Sequence, residues 1–419
     1  MTTTRRELLR LGLGGSTLLA CGATVPGFLA RSATAMGDGG GPGGGRILVV
    51  VQLDGGNDGL NTVVPHGDDV YRKSRPRLAI QAGDLRRIDD HVGLHPSLGG
   101  FGKLNDEGRL AIVQSVGYPN PNRSHFESMA AWHTARLNPG REEPGWLARA
   151  VDAGSEAGGD ASALHVAPET LPQALRGTRR HVPSMTTIEQ FRRRTGPPRP
   201  GGADDRRADL DGIAARAEAA GEANPLLQFV ARSTLDCYAS VARLESVLRD
   251  EKDAGRYPSD EGLAARLRLI ARLIRAGLST SIYYTQLGGF DTHAKQLNTH
   301  ASRLGELGGS VRAFLADLDR TGDADRVAVL VFSEFGRRLR ENASEGTDHG
   351  TAAPVFLLGP RVEGGLVGPY PDLTRLDDGD PVHAIDFRRV YATVLERWLD
   401  RPAEAVLGAP FEALPLFRS

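Results

Sequence analysis

Three acidic residues follow stretches of the sequence that are predicted to form buried β-strands. Asp54, Asp291 and Glu334 each come just after a run rich in β-branched and other apolar residues. The carboxyl ends of parallel strands lie at one edge of a sheet, so we expect the three carboxylates to converge. Converging carboxylates repel one another unless a positive charge lies between them. The sequence therefore predicts a metal site.

Two histidines lie in positions from which they can join these acids. His293 comes two residues after Asp291, and His349 lies in the glycine-rich stretch 346–351. Neutral imidazole beside carboxylate is a ligand set for zinc, manganese or iron. We therefore expect Asp291, His293 and His349 among the metal ligands.

Ser124 supplies a candidate nucleophile. It stands at a predicted helix N-terminus, where free backbone N–H groups and the helix dipole stabilise an anion. A serine oxygen beside a metal can attack the phosphorus or sulfur of an ester. The neighbouring Arg123 can hold the non-bridging oxygens through its planar guanidinium. For His125 the sequence leaves two roles open: a base that supports the site, or a packing residue.

Each of these residues also has an ordinary structural interpretation. A serine at a helix start is often an N-cap, and Asp54 begins an Asp-Gly-Gly turn sequence. Glu334 can pair with Arg337 or Arg338 on a following helix. The chemical interpretation depends on the joint pattern of acids, histidines and serine.

The elements that must position these residues form a repeating strand-then-helix pattern. Predicted strands cover residues 47–53, 110–116, 280–286 and 326–332, with a shorter one at 354–358. Predicted helices cover residues 97–105, a stretch from about 124, and residues 261–276, 296–320 and 386–400. This order predicts an α/β fold with a doubly wound, mostly parallel sheet and helices on both faces.

Composition limits the classes of protein that are possible. The chain has 419 residues, 40% of them hydrophobic, and a formal net charge of −1, which argues against a nucleic-acid binder. Its only cysteines, Cys21 and Cys237, exclude a disulfide framework or a cysteine-based zinc module. A Pro/Arg/Gly-rich tract followed by long helical stretches predicts a largely helical insert at about 152–278.

The N-terminus has the pattern of an export signal. Arg5 and Arg6 precede an apolar stretch and an Ala-Thr-Ala sequence at 33–35, which predicts a twin-arginine signal peptide over residues 1–35. A glycine-rich linker follows at 36–45, and the folded domain takes residues 46–419. After cleavage no stretch reaches the roughly 18 apolar residues of a membrane span. We expect a periplasmic or extracellular protein that uses the twin-arginine export machinery; anchoring through an acylated Cys21 is the less favoured alternative.

Several segments together resemble a large family of exported bacterial proteins of unknown function. These segments, besides the twin-arginine start, are residues 53–61, 122–126, 289–293, 333–337 and 347–350. That family is similar in turn to the alkaline phosphatase and sulfatase superfamily. The resemblance implies an alkaline-phosphatase-like α/β fold.

The superfamily pattern also implies roles for the site residues. It places Asp54 and Glu334 on one metal and the Asp291, His293 and His349 group on the other, with Ser124 between them as nucleophile. The sequence departs from the pattern in two places. One residue separates the Asp from the His where the superfamily usually has three, and Glu334 is followed by Phe335 where the superfamily has an Asp-His pair.

The second departure leaves one implied metal site without an imidazole. An all-oxygen site, with Asn57 and Asp58 as helpers, would favour calcium or magnesium over zinc, or would stay empty. The sulfatase route through a cysteine-derived aldehyde is also absent, because no cysteine lies near Ser124. The metal identity is thus open among zinc, manganese, calcium and magnesium.

Two functions from different classes follow. The first is an exported, metal-dependent hydrolase of phosphate or sulfate esters, acting on a small-molecule or polymer substrate with Ser124 as nucleophile. The second is a catalytically degenerate member of the same fold that serves as an extracellular binding or assembly protein. The Glu334-Phe335 sequence supports the second function.

Overall fold

The computed structural model describes residues 45–140, 142–154, 162–178, 182, 184–186, 255–278 and 280–418. Residues 1–44 hold the predicted signal peptide, nearly all of the predicted linker and Cys21, and they lie outside the described residues. Most of the predicted insert, residues 187–254 with Cys237, also lies outside them. Within the described ranges, no helix is both long enough and apolar enough to cross a membrane.

Helices and strands alternate along the described chain. The α-helices there are α1 (Gly59–Thr62), α2 (Asp69–Ser74), α3 (Gly99–Asp106), α4 (His125–Thr134), α5 (Trp146–Asp152), α6 (Gly262–Arg275), α7 (Gln296–Thr321), α8 (Phe387–Thr393) and α9 (Ala403–Leu407). The strands there are β1 (Ile47–Leu53), β2 (Val63–Val64), β3 (Arg86–Arg87), β4 (Gly93–Leu94), β5 (Leu110–Gly117), β6 (Ala163–Val166), β7 (Ser184–Met185), β8 (Ile282–Leu287), β9 (Val327–Ser333), β10 (Arg337–Glu341), β11 (Thr347–His349), β12 (Ala353–Leu358), β13 (Gly365–Val367), β14 (Leu376–Asp377), β15 (Asp380–Pro381) and β16 (Ile385–Asp386).

The main sheet is mostly parallel. Its strand order is β13-β5-β12-β9-β1-β8-β6-β7, and β16 also pairs with β5. β1 lies in the middle and pairs in parallel with β8 and β9. β12 is antiparallel to both of its neighbours, β5 and β9. The remaining pairs of the main sheet, β13 with β5, β16 with β5, and β6 with both β7 and β8, are parallel.

Helices cover both faces of this sheet because its central strands are apolar on both sides. The odd-numbered residues of β1, from Ile47 to Leu53, belong to a buried cluster that includes side chains of α3, α6 and α7. Leu48 and Val50 belong to a second cluster with side chains of α4, α5, α8 and α9. Each fully buried aliphatic side chain contributes roughly 1.5–3 kcal/mol. The doubly wound α/β fold predicted from the sequence is confirmed.

The predicted elements differ from the structure in a few places. The four long predicted strands are β1, β5, β8 and β9, with ends within two residues of the expected ones, and the stretch at 354–358 is β12. The described part of the predicted insert contributes β6, β7 and α6. The expectation of a helix after Glu334 is wrong: residues 337–341 form β10, because Arg337 and Leu339 are buried at the two-residue period of a strand.

A buried ion pair lies beneath the carboxyl end of β1. Arg75 Nη1 is 2.6 Å from Asp58 Oδ2, and both side chains are fully buried. Arg75 also donates to Leu339 O at 2.9 Å and to Asn61 Oδ1 at 2.7 Å. Burial acts to raise the pKa of Asp58, but the Arg75 charge and the hydrogen bonds from Arg75 and Gln296 outweigh it and lower that pKa. The pair joins α2 and β10 to the loop after β1.

We predict that Arg75→Met lowers the free energy of unfolding by about 3–5 kcal/mol at neutral pH, because it leaves the Asp58 charge buried without its partner. The folded-state pKa of Asp58 is depressed, so its stabilising contribution is present above the unfolded pKa and is lost as the pH falls through the folded pKa. Urea unfolding at neutral pH and in acid measures both effects. Arg72→Met, which breaks an exposed pair with Asp69, is the control and should cost less than about 1 kcal/mol. Equal losses in the two variants would contradict the prediction.

Candidate metal centre

The loops after β1 and β8 are joined by backbone hydrogen bonds at the carboxyl edge of the sheet. The Asp54 N–H donates to Leu287 O at 3.0 Å, and the Phe290 N–H donates to Asp54 O at 3.1 Å. Gly55 has a φ of 115°, and a Cβ there would lie 2.4 Å from the backbone nitrogen of Asp291. Only glycine permits this approach, which brings the Asp291 loop against the end of β1.

The buried guanidinium of Arg337 holds the same loops together. Nε and Nη2 donate to the carbonyl oxygens of residues 56 and 55, and Nη1 donates to Thr347 O at 2.7 Å. Nη2 also donates to Phe290 O at 3.1 Å and to Asp291 Oδ1 at 2.7 Å. Burial acts to raise the pKa of Asp291, but the hydrogen bond from Arg337 and the charge of its guanidinium lower it to about 2. Asp291 is therefore a carboxylate at neutral pH.

Two histidine rings face the Asp291 carboxylate. Nε2 of His293 is 3.0 Å from Asp291 Oδ1, and Nε2 of His349 is 3.2 Å from the same oxygen. The two Nε2 atoms are 2.9 Å apart. Two imidazole nitrogens this close to each other and to one carboxylate oxygen suit a shared proton or a common cation. The structure thus brings together the three residues that the sequence analysis grouped on one metal.

The Nδ1 atoms of His293 and His349 each contact an oxygen atom of the protein. His349 Nδ1 is 2.8 Å from the carbonyl oxygen of Arg123, to which it donates, and His293 Nδ1 is 3.3 Å from Asp348 Oδ1. A hydrogen bond donated by Nδ1 selects the neutral tautomer in which Nε2 carries the lone pair. Burial lowers the pKa of His349, which favours its neutral form. The outer contacts therefore direct the lone pairs of these rings towards Asp291.

The ring of His125 adds a third imidazole to the cluster. Its Nε2 is 3.5 Å from Asp291 Oδ2, and its Nδ1 is 2.8 Å from Glu334 Oε1. Ligand atoms of His125, Asp291 and His349 all lie within 4.8 Å of one another. Sequence reasoning left His125 undecided. The signal that points to it is its place as the first residue of α4, directly after Ser124, at the edge where the acids were expected.

Glu334 lies behind His125. Its side chain is 2% exposed. Besides His125, Oε1 accepts the Gly55 N–H at 2.8 Å, and Oε2 lies 2.9 Å from the Ser333 hydroxyl, which is also 2.8 Å from Leu53 O. The ordinary alternative, an ion pair with Arg337, is not seen among the described contacts, where that guanidinium binds Asp291 instead. The carboxylate that the sequence predicts as a metal ligand thus has protein partners at both of its oxygens.

Asp54 stands apart from this cluster. Its carboxylate accepts hydrogen bonds from the side-chain amides of Gln52 and Gln286, the latter at 3.3 Å. Burial raises the pKa of Asp54 to about 6. Among the contacts of the described residues, none joins the Asp54 carboxylate to Asp291 or to the three histidines. Its predicted role as a metal ligand has no contact in its favour.

The two residues expected as helpers of Asp54 point inward. Asp58 is paired with Arg75, as described above. Asn57 Oδ1 accepts the Thr62 hydroxyl at 3.1 Å and lies 2.9 Å from His300 Nε2. These contacts hold the loop after β1 in place and leave the two side chains buried.

Ser124 is the N-cap residue of α4 and is exposed. Its backbone N–H donates to Asn122 Oδ1 at 2.7 Å, and within the described structure its side chain makes no capping hydrogen bond. The guanidinium of Arg123 is paired with Asp378 at 2.7 Å and with Asp380 at 2.5 Å. The Ser124 hydroxyl is therefore not used for capping, whereas Arg123 is engaged by two carboxylates.

The donor atoms fit a transition-metal ion. The carboxylate of Asp291 is surrounded by the Nε2 atoms of three imidazole rings, and the Nδ1 atom of each ring has an oxygen partner. Mixed imidazole and carboxylate ligands suit zinc, manganese or iron, whereas calcium and magnesium prefer oxygen ligands alone. The cluster therefore fits zinc, manganese or iron.

Fold and cluster together define the class: an α/β protein with a doubly wound, mostly parallel sheet and a candidate metal centre beyond the carboxyl ends of its central strands. The chain belongs to the family described as "Protein of unknown function (DUF1501)", which matches residues 46–399. The resemblance to a family of unknown function, noted from the sequence, is thereby confirmed. A comparison with curated proteins finds no match.

A comparison with solved structures finds several that are similar to this chain at low identity. The chain is similar to the lipoteichoic acid synthase LtaP from Listeria monocytogenes, with 12% identity, a TM-score of 0.32, and coverage of 78% of this chain and 67% of that one. A putative sulfatase from Bacteroides thetaiotaomicron has 10% identity and a TM-score of 0.35, with coverage of 88% of this chain and 76% of that one. Alkaline phosphatase from the Antarctic bacterium TAB5 has 10% identity and a TM-score of 0.27, with coverage of 75% of this chain and 92% of that one. Likeness at these TM-scores assigns no function.

Proposed function

We propose that this protein is an exported, metal-dependent hydrolase of phosphate or sulfate esters. The observation that carries the proposal is the convergence of imidazole Nε2 atoms on the Asp291 carboxylate at the carboxyl edge of the sheet. His293 and His349 Nε2 lie 3.0 and 3.2 Å from Asp291 Oδ1. These three residues would hold the ion. When bound, it would polarise the ester and stabilise developing negative charge.

Ser124 is the proposed nucleophile. Its hydroxyl is exposed at the start of α4, and the next residue along the chain, His125, lies in the metal cluster. In the proposed reaction Ser124 Oγ bonds to the phosphorus or sulfur of the ester while the bond to the leaving oxygen breaks. The serine proton passes to that oxygen, which departs as an alcohol. Water then hydrolyses the seryl ester and regenerates the hydroxyl.

Arg123 is proposed to bind the non-bridging oxygens of the ester. The side chain of Asp378, its partner at Nη1, is 71% exposed. Exposed ion pairs contribute only about 0–1 kcal/mol, so an anionic substrate can replace Asp378 at that nitrogen. Asp380 is fully buried and would keep holding the other side of the guanidinium. This arrangement leaves Arg123 oriented while one of its donors becomes free.

A binding or assembly protein of the same fold is the second candidate. Phe335 favours it, because its ring occupies space beside the cluster. The ring centroid of Phe335 is 5.0 Å from that of His125 and 4.8 Å from that of His349. An apolar ring here restricts a second metal site next to the first. On this view any bound ion is structural and Ser124 has no reactive role.

Metal content measured by mass spectrometry on the purified full-length protein tests the proposal, followed by hydrolysis of p-nitrophenyl phosphate and sulfate. We expect near-stoichiometric metal in the wild type, its loss in Asp291→Asn, and ester hydrolysis that depends on the metal. His91→Ala, an exposed histidine that packs on Tyr370, is the matched control and should keep the metal. Full metal content without hydrolysis of either ester class would favour the binding protein. A folded wild type that takes up no metal would end the hydrolase proposal.

A further inference from the structure

We infer that His125 is a ligand of the same metal ion and that Glu334 acts as a positioning residue that holds His125. The inference deepens the proposed function and rests on its metal centre, though not on ester hydrolysis. It changes the ligand set implied by the resemblance, in which Glu334 binds a metal itself and His125 has no part.

The first argument is the orientation of the His125 ring. The Nδ1 atom of His125 lies 2.8 Å from Glu334 Oε1, a hydrogen-bond distance to a carboxylate that is almost fully buried. When Nδ1 donates to a carboxylate, the lone pair of the neutral ring is on Nε2. That atom points into the cluster, 3.5 Å from Asp291 Oδ2. Carboxylate-to-histidine contacts of this kind orient metal-binding rings in proteins.

The second argument is the distribution of the rings around Asp291. Its Oδ1 atom is the neighbour of His293 and His349, whereas its Oδ2 atom is the neighbour of His125. The rings of His125 and His349 have their centroids 4.4 Å apart and meet edge to face at 74°. This leaves the Nε2 atoms free to approach one point from different directions. The ligand atoms of His125, His349 and Asp291 all lie within 4.8 Å of one another, so a single ion near Asp291 can reach both of these rings.

The third argument is that both oxygens of the Glu334 carboxylate already have protein partners. Oε1 accepts from the Gly55 backbone at 2.8 Å and lies against His125, and Oε2 lies 2.9 Å from the Ser333 hydroxyl. An ion bound directly to Glu334 would compete with these partners, and the Gly55 N–H and the Ser333 hydroxyl are buried at the sheet edge. A carboxylate whose oxygens already have protein partners is suited to orienting a ligand rather than to being one.

A ligand set of imidazole nitrogens and one carboxylate also narrows the class of metal. Nitrogen-rich sites select zinc and other first-row transition metals, and exclude calcium and magnesium as the resident ion. The three ligands His125, Asp291 and His349 leave a fourth position on a tetrahedral ion for water or substrate.

Titration of chelator-treated full-length protein with Zn²⁺ against a competing fluorescent chelator tests the inference, together with the visible spectrum of the Co²⁺-loaded protein. We expect His125→Ala to weaken Zn²⁺ binding by roughly 100-fold and to change the Co²⁺ bands, because one nitrogen ligand is lost. Glu334→Gln should weaken binding by about 10–100-fold and leave the band positions in place, as for residues that act through a ligand. His91→Ala should match the wild type. Because the His125 side chain is 33% exposed, we expect His125→Ala to fold, and a thermal melt confirms it.

Two results would overturn the inference. One is a His125→Ala protein with unchanged Zn²⁺ affinity and Co²⁺ spectrum. The other is a Glu334→Gln protein whose Co²⁺ bands change as they do in Asp291→Asn, which would make Glu334 a direct ligand. Both results leave the proposed hydrolase standing, since the wild type would still bind metal. A wild type without metal affinity would reject the hydrolase and the inference together.

Discussion

Ser124→Ala is expected to lower the turnover of ester substrates by roughly 10³-fold or more, the scale seen when an enzyme loses its nucleophile. The same change should lower the free energy of unfolding by less than about 0.5 kcal/mol, because within the described structure the Ser124 side chain makes no capping hydrogen bond. A serine that served only as an N-cap would give the opposite result: a stability loss near 1 kcal/mol and unchanged activity. Steady-state kinetics and urea unfolding on one preparation separate the two roles.

Ser259→Ala is the matched control for this experiment. Ser259 Oγ accepts the Glu261 N–H at 3.0 Å just before α6, so its hydroxyl does help to start a helix. We expect this variant to lose about 0.5–1 kcal/mol of stability and to keep full activity. A Ser124→Ala protein with full ester hydrolysis would remove the nucleophile from the proposed reaction and favour the binding protein.

Arg337→Met is expected to lower the free energy of unfolding by about 3–5 kcal/mol. The guanidinium is 1% exposed and donates to three loops, so the substitution leaves buried carbonyl oxygens without donors and Asp291 without its cation. Since Arg337 also fixes Asp291 Oδ1 at 2.7 Å, metal affinity should fall with stability. Denaturant unfolding and Zn²⁺ titration measure the two effects.

Two variants make this result specific. Arg340→Met changes an exposed arginine of the same strand and should shift stability by no more than about 0.5 kcal/mol. Arg337→Lys keeps the charge but cannot reproduce the planar set of donors, so we expect it to recover only part of the loss. If Arg337→Met were as stable as Arg340→Met, the loops would not depend on this guanidinium.

The central strands could be predicted because their signal is local. The apolar run at β1 needs no information from the rest of the chain, and its buried pattern on both faces follows from its residues. β6 gave no such signal: it is four residues long and contains His165, whose polar partners Ser184 and Gln286 are distant in sequence. Tertiary contacts make that histidine compatible with a buried strand.

At the candidate site, too, the sequence predicts what local signals determine and misses what depends on contacts in the folded structure. The meeting of Asp291 with His293 was predictable, because both follow a buried strand at this edge of the sheet. His349 ends β11, a short strand that the sequence shows only as a glycine-rich stretch. The separation of Asp54 was not, since it depends on the amides of Gln52 and Gln286, which bind the carboxylate locally. For Glu334, sequence position shows where the carboxylate lies, but not which neighbours contact its oxygens, as the Gly55 N–H and His125 do.

The position of β1 in the sheet has a consequence for synthesis of the protein on the ribosome. β1 is the first strand of the main sheet to be made, yet both of its neighbours, β8 and β9, begin only at Ile282 and Val327. Until those segments emerge, the apolar strand Ile47–Leu53 has neither hydrogen-bond partner, and an unpaired apolar strand is prone to aggregate. β1 therefore lacks both neighbours for most of translation, and the main sheet is complete only after β12, β13 and β16 have also left the ribosome.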